Sequence, residues 1–372
     1  MRPTEARVSV GAVRANVEQL IALAPASRLC AVVKADGYGH GAEVVATAAL
    51  AAGASWLAVA TLEEATELRA TAIGPDVPIL LLSELDHEGL RSTTADPDAG
   101  LRLTVGSSSG ARAMAELASP SGLMPVHLKI DTGMHRVGVD PSDALAVAEL
   151  LAAIPGVFVE AVWTHLAVAG DPSDDFTSEQ LNRFDETLAE LADHGHRAPL
   201  VHAANSAGVI AHPASHRDLI RVGIAMYGVD PDPALSGLVP LQAALSLVSR
   251  VTAVRTVGPG EGVSYGRHWR AGGPTRVATI PIGYADGIRR ASPTAGVEVL
   301  VRGRRRPMLG VVTMDQLMIE VDDDIDIGDE VVLIGDQGSE RVTANEVAQR
   351  LGTIGYEVLT ALGRRIPRRV ID

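Results

Sequence analysis

Through about residue 230 the apolar positions keep one rhythm: a short apolar run, a turn, then a helical stretch of alternating Ala/Leu and charge. Runs rich in β-branched residues at 30–34, 56–60, 79–82, 101–105, 126–130, 159–165, 200–203 and 219–224 predict buried strands. Helical patterns, such as 62–69 and 178–192, separate them. Eight strands alternating with helices over roughly 220 residues predict a (β/α)8 TIM-type barrel, with an open doubly wound sheet as the alternative. After Pro240 the rhythm changes to apolar runs at 245–251, 275–282, 297–301, 308–314 and 330–334, divided by glycine turns, with one helical pattern at 344–351. The chain therefore reads as α/β: a barrel domain over 1–240, then a β-rich C-terminal domain over 241–372 that residues 6–10 complete.

Composition narrows the setting. A length of 372 residues accommodates two domains, and 47% hydrophobic with 21% charged residues is an ordinary globular balance. A net charge of −14 argues against nucleic acid or an anionic membrane as a partner. The single cysteine, Cys30, lies inside an apolar run, which excludes a disulfide framework and predicts a reducing, cytoplasmic setting. Residues 44–62 carry no charge before Glu63, yet they are mostly alanine interrupted by Gly53 and Ser55. They read as a helix running into a strand, not a membrane span. Arg2, Arg7 and Arg14 have no apolar core behind them, so the N-terminus does not read as a signal peptide. No His/Cys/Asp cluster has metal-ligand spacing.

The candidate chemistry begins with a count. Of 32 basic residues only Lys34 and Lys129 are lysines. Arginine is a permanent planar cation, whereas a desolvated lysine loses its proton and attacks an aldehyde. Lys34 closes an apolar strand and precedes the turn Asp36-Gly37-Tyr38-Gly39-His40-Gly41. In a barrel the site lies at the C-terminal ends of the strands, where Lys34, Lys129 with Asp131 and Arg136, His165, Ser206, and Arg221 with Gly223 and Ile224 all fall. Ser206 and the amides of Gly223 and Ile224 follow strands 7 and 8, the usual barrel location of a phosphate site. A reactive lysine facing a phosphate site is the combination expected for pyridoxal phosphate (PLP). The five tyrosines, at 38, 227, 265, 284 and 356, sit outside helix bodies in compact motifs beside glycine or charge. His40 reads as a loop-orienting turn residue, His202 as a satisfied polar group inside the barrel, and the acidic run at 322–326 as a solvated turn.

The segments AVVKADGYGHG, HLKIDTGMHRVG, WTHLA, HAANSAG, RVGIAMYG, VSYG, PIGYADG, TMDQL and GYEVL stand in this order over essentially the whole chain. In these the sequence resembles the bacterial alanine racemases, PLP enzymes of fold type III. The resemblance implies that Lys34 holds PLP and moves the Cα proton on one face of the substrate, while Tyr265 does so on the other. It implies a phosphate held by Tyr38, Ser206, Gly223, Ile224 and Tyr356, and Arg221 against the pyridine nitrogen. His165 would sit at the cofactor and assist Tyr265, since a free phenol, with a pKa near ~10, is a weak base at neutral pH. Arg136, the Met314 amide and Tyr284 would contact substrate, with Asp315 and Lys129 in support. Lys129 is either carbamylated, as in many members, or a buried, paired lysine.

The resemblance further implies a head-to-tail homodimer in which Tyr265 reaches the other subunit's barrel. The reaction would interconvert L- and D-alanine and supply D-alanine for peptidoglycan. A PLP-dependent racemase of serine, lysine or broad specificity is the alternative. A PLP-carrier barrel would lack the β domain, and a fold type III decarboxylase would carry C-terminal cysteine motifs that a chain with only Cys30 lacks. Three positions depart from the common family pattern: Val311 for a frequent arginine, Thr313 for cysteine, and Gly355 for asparagine.

Overall fold

The computed structural model describes residues 2–94, 100–117 and 123–372. The chain forms two compact units: residues 13–37 with 42–242, and residues 1–12 with 38–41 and 243–372.

In chain order the first strand is β1 (Glu5–Ser9). The barrel strands follow: β2 (Arg28–Val32), β3 (Trp56–Val59), β4 (Ile79–Glu84), β5 (Leu101–Val105), β6 (Met124–Lys129), β7 (Val157–Trp163), β8 (Leu200–His202) and β9 (Leu219–Val222). Each pairs in parallel with the next from β2 to β8, and β9 returns to β2. Asp218 N–H to Val201 O and Arg221 N–H to Ala204 O, both 3.0 Å, bring β9 against β8 and nearly close the ring. The open-sheet alternative is thereby excluded. Strands facing both a packed interior and a helical layer need apolar residues on both sides. Accordingly Leu57, Ala58, Ile79, Leu80, Leu81 and Leu128 are fully enclosed. The uncharged stretch is a helix (Ala42–Ala51) running into β3, and no described helix is long and apolar enough to cross a membrane.

The second unit adds β10 (Leu245–Arg250), β11 (Ala253–Val257), β12 (Gly262–Val263), β13 (Trp269–Arg270), β14 (Thr275–Ile280), β15 (Glu298–Val301), β16 (Arg304–Leu309), β17 (Leu317–Glu320), β18 (Glu330–Gln337), β19 (Glu340–Val342) and β20 (Arg368–Ile371). Its ten-stranded sheet runs β11-β14-β17-β16-β15-β18-β10-β1-β20, with β19 beside β18, and β12–β13 form a separate ribbon. β1 lies between β10 and β20 in this sheet.

Two expectations are corrected here. The strand expected at 308–314 lies at 304–309, because Arg304, Arg305 and Arg306 pair with Val301, Leu300 and Val299. Gly310, at φ 71°, then ends it, so Met314 is in a loop. Tyr356 lies inside a short helix (Gly355–Thr360). The acidic run is an exposed turn, as expected, and its carboxylates also pair: Arg304 reaches Asp322 (2.9 Å) and Asp324 (3.0 Å), and Arg306 also reaches Asp322. Such solvent-screened pairs contribute little each.

Candidate active site

Lys34 stands two residues beyond β2, where the backbone turns left-handed at Ala35 (φ 52°), Asp36 (φ 52°) and Gly37 (φ 60°). For residues with a Cβ this conformation costs roughly 1–2 kcal/mol each. Two carboxylates offset it. Glu64 Oε1 accepts from Ala35 N–H at 2.7 Å, and Asp36 Oδ1 accepts from Ala42 N–H at 3.0 Å. Glu64 also accepts from the amides of Ala60 and Thr61, while Thr61 Oγ1 accepts from Glu64 N–H, so one side chain caps a helix and clamps the lysine turn. At Gly37 a Cβ would lie 3.2 Å from Ala42 N, a tight approach at a left-handed φ that glycine meets without strain.

Around this lysine the barrel mouth is cationic. Burial, then the charge of Arg136, holds the Lys34 amine below its ordinary value, with Glu64 opposing. Burial, then Arg136 and Arg221, brings Lys129 down to about 8. Arg221, at 3% exposure, is pulled by burial to about 10 and remains a cation at neutral pH. Lys129 and Arg221 both lie over the Trp163 ring, each 4.6 Å from its centroid, which stabilises two neighbouring cations. His165 is held well below its usual range by burial and then by Arg221, Lys129, Arg136 and Lys34, and is therefore neutral. Its Nδ1 accepts from Arg221 Nη2 at 3.2 Å, which leaves the ring hydrogen on Nε2. The five predicted groups thus share one electrostatic neighbourhood.

Ser206 and Gly223 also meet. Asn205 caps the helix Ser206–Ala211, with its side chain accepting from Gly208 N–H at 2.9 Å. Ser206 Oγ accepts from Gly223 N–H (2.9 Å) and Ala225 N–H (3.4 Å), so the segments after β8 and β9 are joined at a buried hydroxyl beside the Ile224 turn. A primary amine, a cationic mouth and a hydroxyl among backbone amides are the donor chemistry that an aldehyde bearing a phosphate requires.

The β unit presents the remaining residues. The Tyr38 and Tyr356 rings lie 6.1 Å apart at 49°. Tyr265 stands between β12 and β13, 74% exposed, after Ser264 at φ 65° whose Oγ donates to Val311 O at 2.7 Å. Tyr284 and Met314 are neighbours: Tyr284 N–H donates to Thr313 O and Ala285 N–H to Met314 O, both at 3.0 Å. Gly283 is required between them, because a Cβ would lie 2.4 Å from Met314 O. Val311 is a buried apolar residue, so the cation common at this family position is replaced by packing.

Two groups of residues escaped the sequence reading. Asp286, fully buried, receives a two-pronged bond from Arg2 (3.1 and 2.7 Å) and the Gly283 amide (2.9 Å), which anchors the Tyr284 turn. Arg365 joins Asp286 (3.4 Å) to Asp315 (2.6 Å) beside Met314. The second group is His127 and Glu160, which extend the expected Arg221 and His202 into a chain of polar side chains inside the barrel, Arg221–His202–His127–Glu160. Its signal was present as alternation on β6, where His127 stands two residues before Lys129 and so on the same face. His202 is satisfied, as expected, by Arg221 and His127. Tyr227 is a core residue whose hydroxyl donates to Val32 O at 2.9 Å.

Fold and site together define a (β/α)8 barrel enzyme with a lysine-bearing mouth and a β-rich C-terminal domain. The family of alanine racemase N-terminal domains matches residues 8–231, and that of the C-terminal domains matches 244–370. The alanine racemase of Symbiobacterium thermophilum is 45% identical over 99% of this chain and 97% of its own. The crystal structure of the Bacillus anthracis alanine racemase with bound L-Ala-P superposes with a TM-score of 0.94 at 36% identity, covering 100% of this chain and 96% of that one. The alanine racemase of Streptomyces coelicolor A3(2) gives 0.93 at 36% identity, covering 100% and 98%. The chain belongs to the alanine racemase family.

Proposed function

We propose that this protein is a PLP-dependent isomerase that interconverts L- and D-alanine with one proton-transferring group on each face of Cα. The observation that carries it is the desolvated Lys34 amine set among Arg136, Lys129 and Arg221 in a chain of this family. PLP, when bound, supplies the electron sink that acidifies the substrate Cα–H. Lys34 would hold it covalently, and Ser206, Gly223, Ile224, Tyr38 and Tyr356 would take the phosphate.

Each remaining role follows from the residue's chemistry. With its proton held loosely by burial, Lys34 takes or returns the Cα proton on its own face. Tyr265, exposed and on a pinned turn, offers its hydroxyl to the opposite face. His165, neutral with hydrogen on Nε2, would donate that hydrogen to the Tyr265 oxygen and so stabilise its deprotonated form. Arg221 would stand against the cofactor's ring nitrogen as a fixed cation, which would disfavour protonation there and temper the electron sink, in keeping with return of the proton to Cα. Arg136 and the Met314 amide bind the substrate side and its carboxylate, with Tyr284 at the entrance and Asp315 supporting Met314 through Arg365.

The β-unit residues complete the site from a second copy in a head-to-tail homodimer. Tyr265, Tyr284 (43% exposed) and Met314 (53%) are large apolar side chains open to solvent, which is the exposure expected of groups that a partner covers. The enzyme works in the reducing cytoplasm, and its D-alanine serves peptidoglycan synthesis. The test is incubation of purified protein and PLP in D2O with L-alanine, L-serine, L-lysine and L-arginine, followed by chiral separation. Deuterated D-alanine forming at least about tenfold faster than any other product, a ~1.4 kcal/mol preference, supports the reading. Faster turnover of a larger amino acid contradicts it and points to Thr313 and Gly355.

A further inference from the structure

The interior of this barrel holds charge where most such barrels hold layers of Val, Ile and Leu. Arg221 Nη1 donates to His202 Nδ1 at 2.7 Å, His202 Nε2 meets His127 Nδ1 at 3.0 Å, and His127 Nε2 meets Glu160 Oε2 at 3.1 Å. Arg102 Nε donates to the same Glu160 oxygen at 2.9 Å. The chain starts at Arg221 near the C-terminal end of β9 and finishes beside Arg102, the second residue of β5, toward the opposite end of the barrel.

A register irregularity accounts for Glu160. Val126 pairs with Val159 and His127 with Ala161, so Glu160 has no register partner on β6. A bulge re-aims the side chain of the extra residue, here toward His127.

The hydrogens of this chain admit one direction. A guanidinium only donates and a carboxylate only accepts, and each neutral imidazole does one of each. Arg221 therefore requires a bare Nδ1 on His202, whose Nε2–H then requires a bare Nδ1 on His127, whose Nε2–H ends on Glu160. A charged imidazole at either position would set donor against donor at a joint of about 3 Å. Burial disfavours the charged form of both histidines, in agreement.

We propose that Glu160 is a positioning residue: through His127 and His202 it fixes the tautomer of both imidazoles and thereby holds the Arg221 guanidinium in one orientation at the barrel mouth. The consequence for the reaction rests on the reading of Arg221 as the neighbour of the cofactor's ring nitrogen; the tautomers do not. Arg102 donates to the oxygen that His127 also meets and would hold an amide there oxygen-first. The constraint is therefore removed only in the double variant Glu160→Gln/Arg102→Met, where the amide can donate to His127 Nε2. The reversed chain then aims His202 Nδ1–H at Arg221, which must move. Glu160→Asp keeps an acceptor-only group.

Neutron diffraction on the deuterium-exchanged holoenzyme reads the tautomers directly. Deuterium on Nε2 alone of both His127 and His202 is expected; deuterium on Nδ1 of either overturns the lock, whether or not any variant folds. In the holoenzyme, Glu160→Gln/Arg102→Met should lower kcat about tenfold or more relative to Arg102→Met alone, the effect of losing a charged hydrogen bond, with KM for alanine within about twofold. The cofactor's visible absorbance should shift, while Glu160→Asp stays near wild type in both. Unchanged kcat and absorbance in a folded Glu160→Gln/Arg102→Met variant, compared with Arg102→Met, would overturn the positioning role. Failure of the wild type to racemise alanine would instead count against the proposed function.

Discussion

Burial acts differently on each basic residue at the barrel mouth. Arg221, taken to about 10, keeps its charge at neutral pH, whereas Lys129, at about 8, stands at the edge of losing it. A lysine at its ordinary value near ~10.4 is less than about one per cent neutral at pH 8. Lys129 is close to half neutral there, which is the form that captures carbon dioxide. The sign follows from the lowered value: neutral amine is present above about 8 and is lost as the pH falls through it. A carbamate on Lys129 would also place an anion among Lys34, Arg136 and Arg221. With 13C-bicarbonate, the protein should show a carbamate resonance that fades as the pH is lowered from 9 through about 8 to 7 and is absent in Lys129→Ala. A signal absent throughout would make Lys129 a plain buried lysine over Trp163.

Short loops join the barrel strands to the residues that act. Ser206 shows how much depends on one hydroxyl: it satisfies the buried Gly223 amide and ties the segments after β8 and β9 together. Ser206→Ala removes a hydroxyl that would donate to the phosphate, a hydrogen bond to a charged group worth ~1.5–3 kcal/mol, so PLP affinity should fall about ten- to a hundredfold while the far-UV circular dichroism is unchanged. A cofactor titration measures it; unaltered affinity would remove Ser206 from the phosphate site. The barrel was legible in the sequence because its strands are apolar on both sides and announce themselves as runs. β16 was not, because a strand that opens with three arginines reads as a loop until its partner is known. Lys34 was legible from the scarcity of lysine. The histidine chain and Asp286 were not, since Arg2 and Asp286 are 284 residues apart and only folding brings them together.

For the whole molecule, one chain carries the lysine on one compact unit and the exposed tyrosine on the other. The account requires two chains per pair of sites, each site taking Lys34 from one and Tyr265 from its partner. Lys34→Ala and Tyr265→Ala homodimers should therefore each be inactive. Unfolding, mixing and refolding them together creates heterodimers in which one of the two sites has both residues. The decisive measurement is alanine racemisation by that mixture. Random pairing predicts recovery to about a quarter of wild-type activity, half of the sites in half of the dimers. No recovery from a mixture shown to contain heterodimers would mean that Lys34 and Tyr265 do not act together across the two chains, and would contradict the account at its centre.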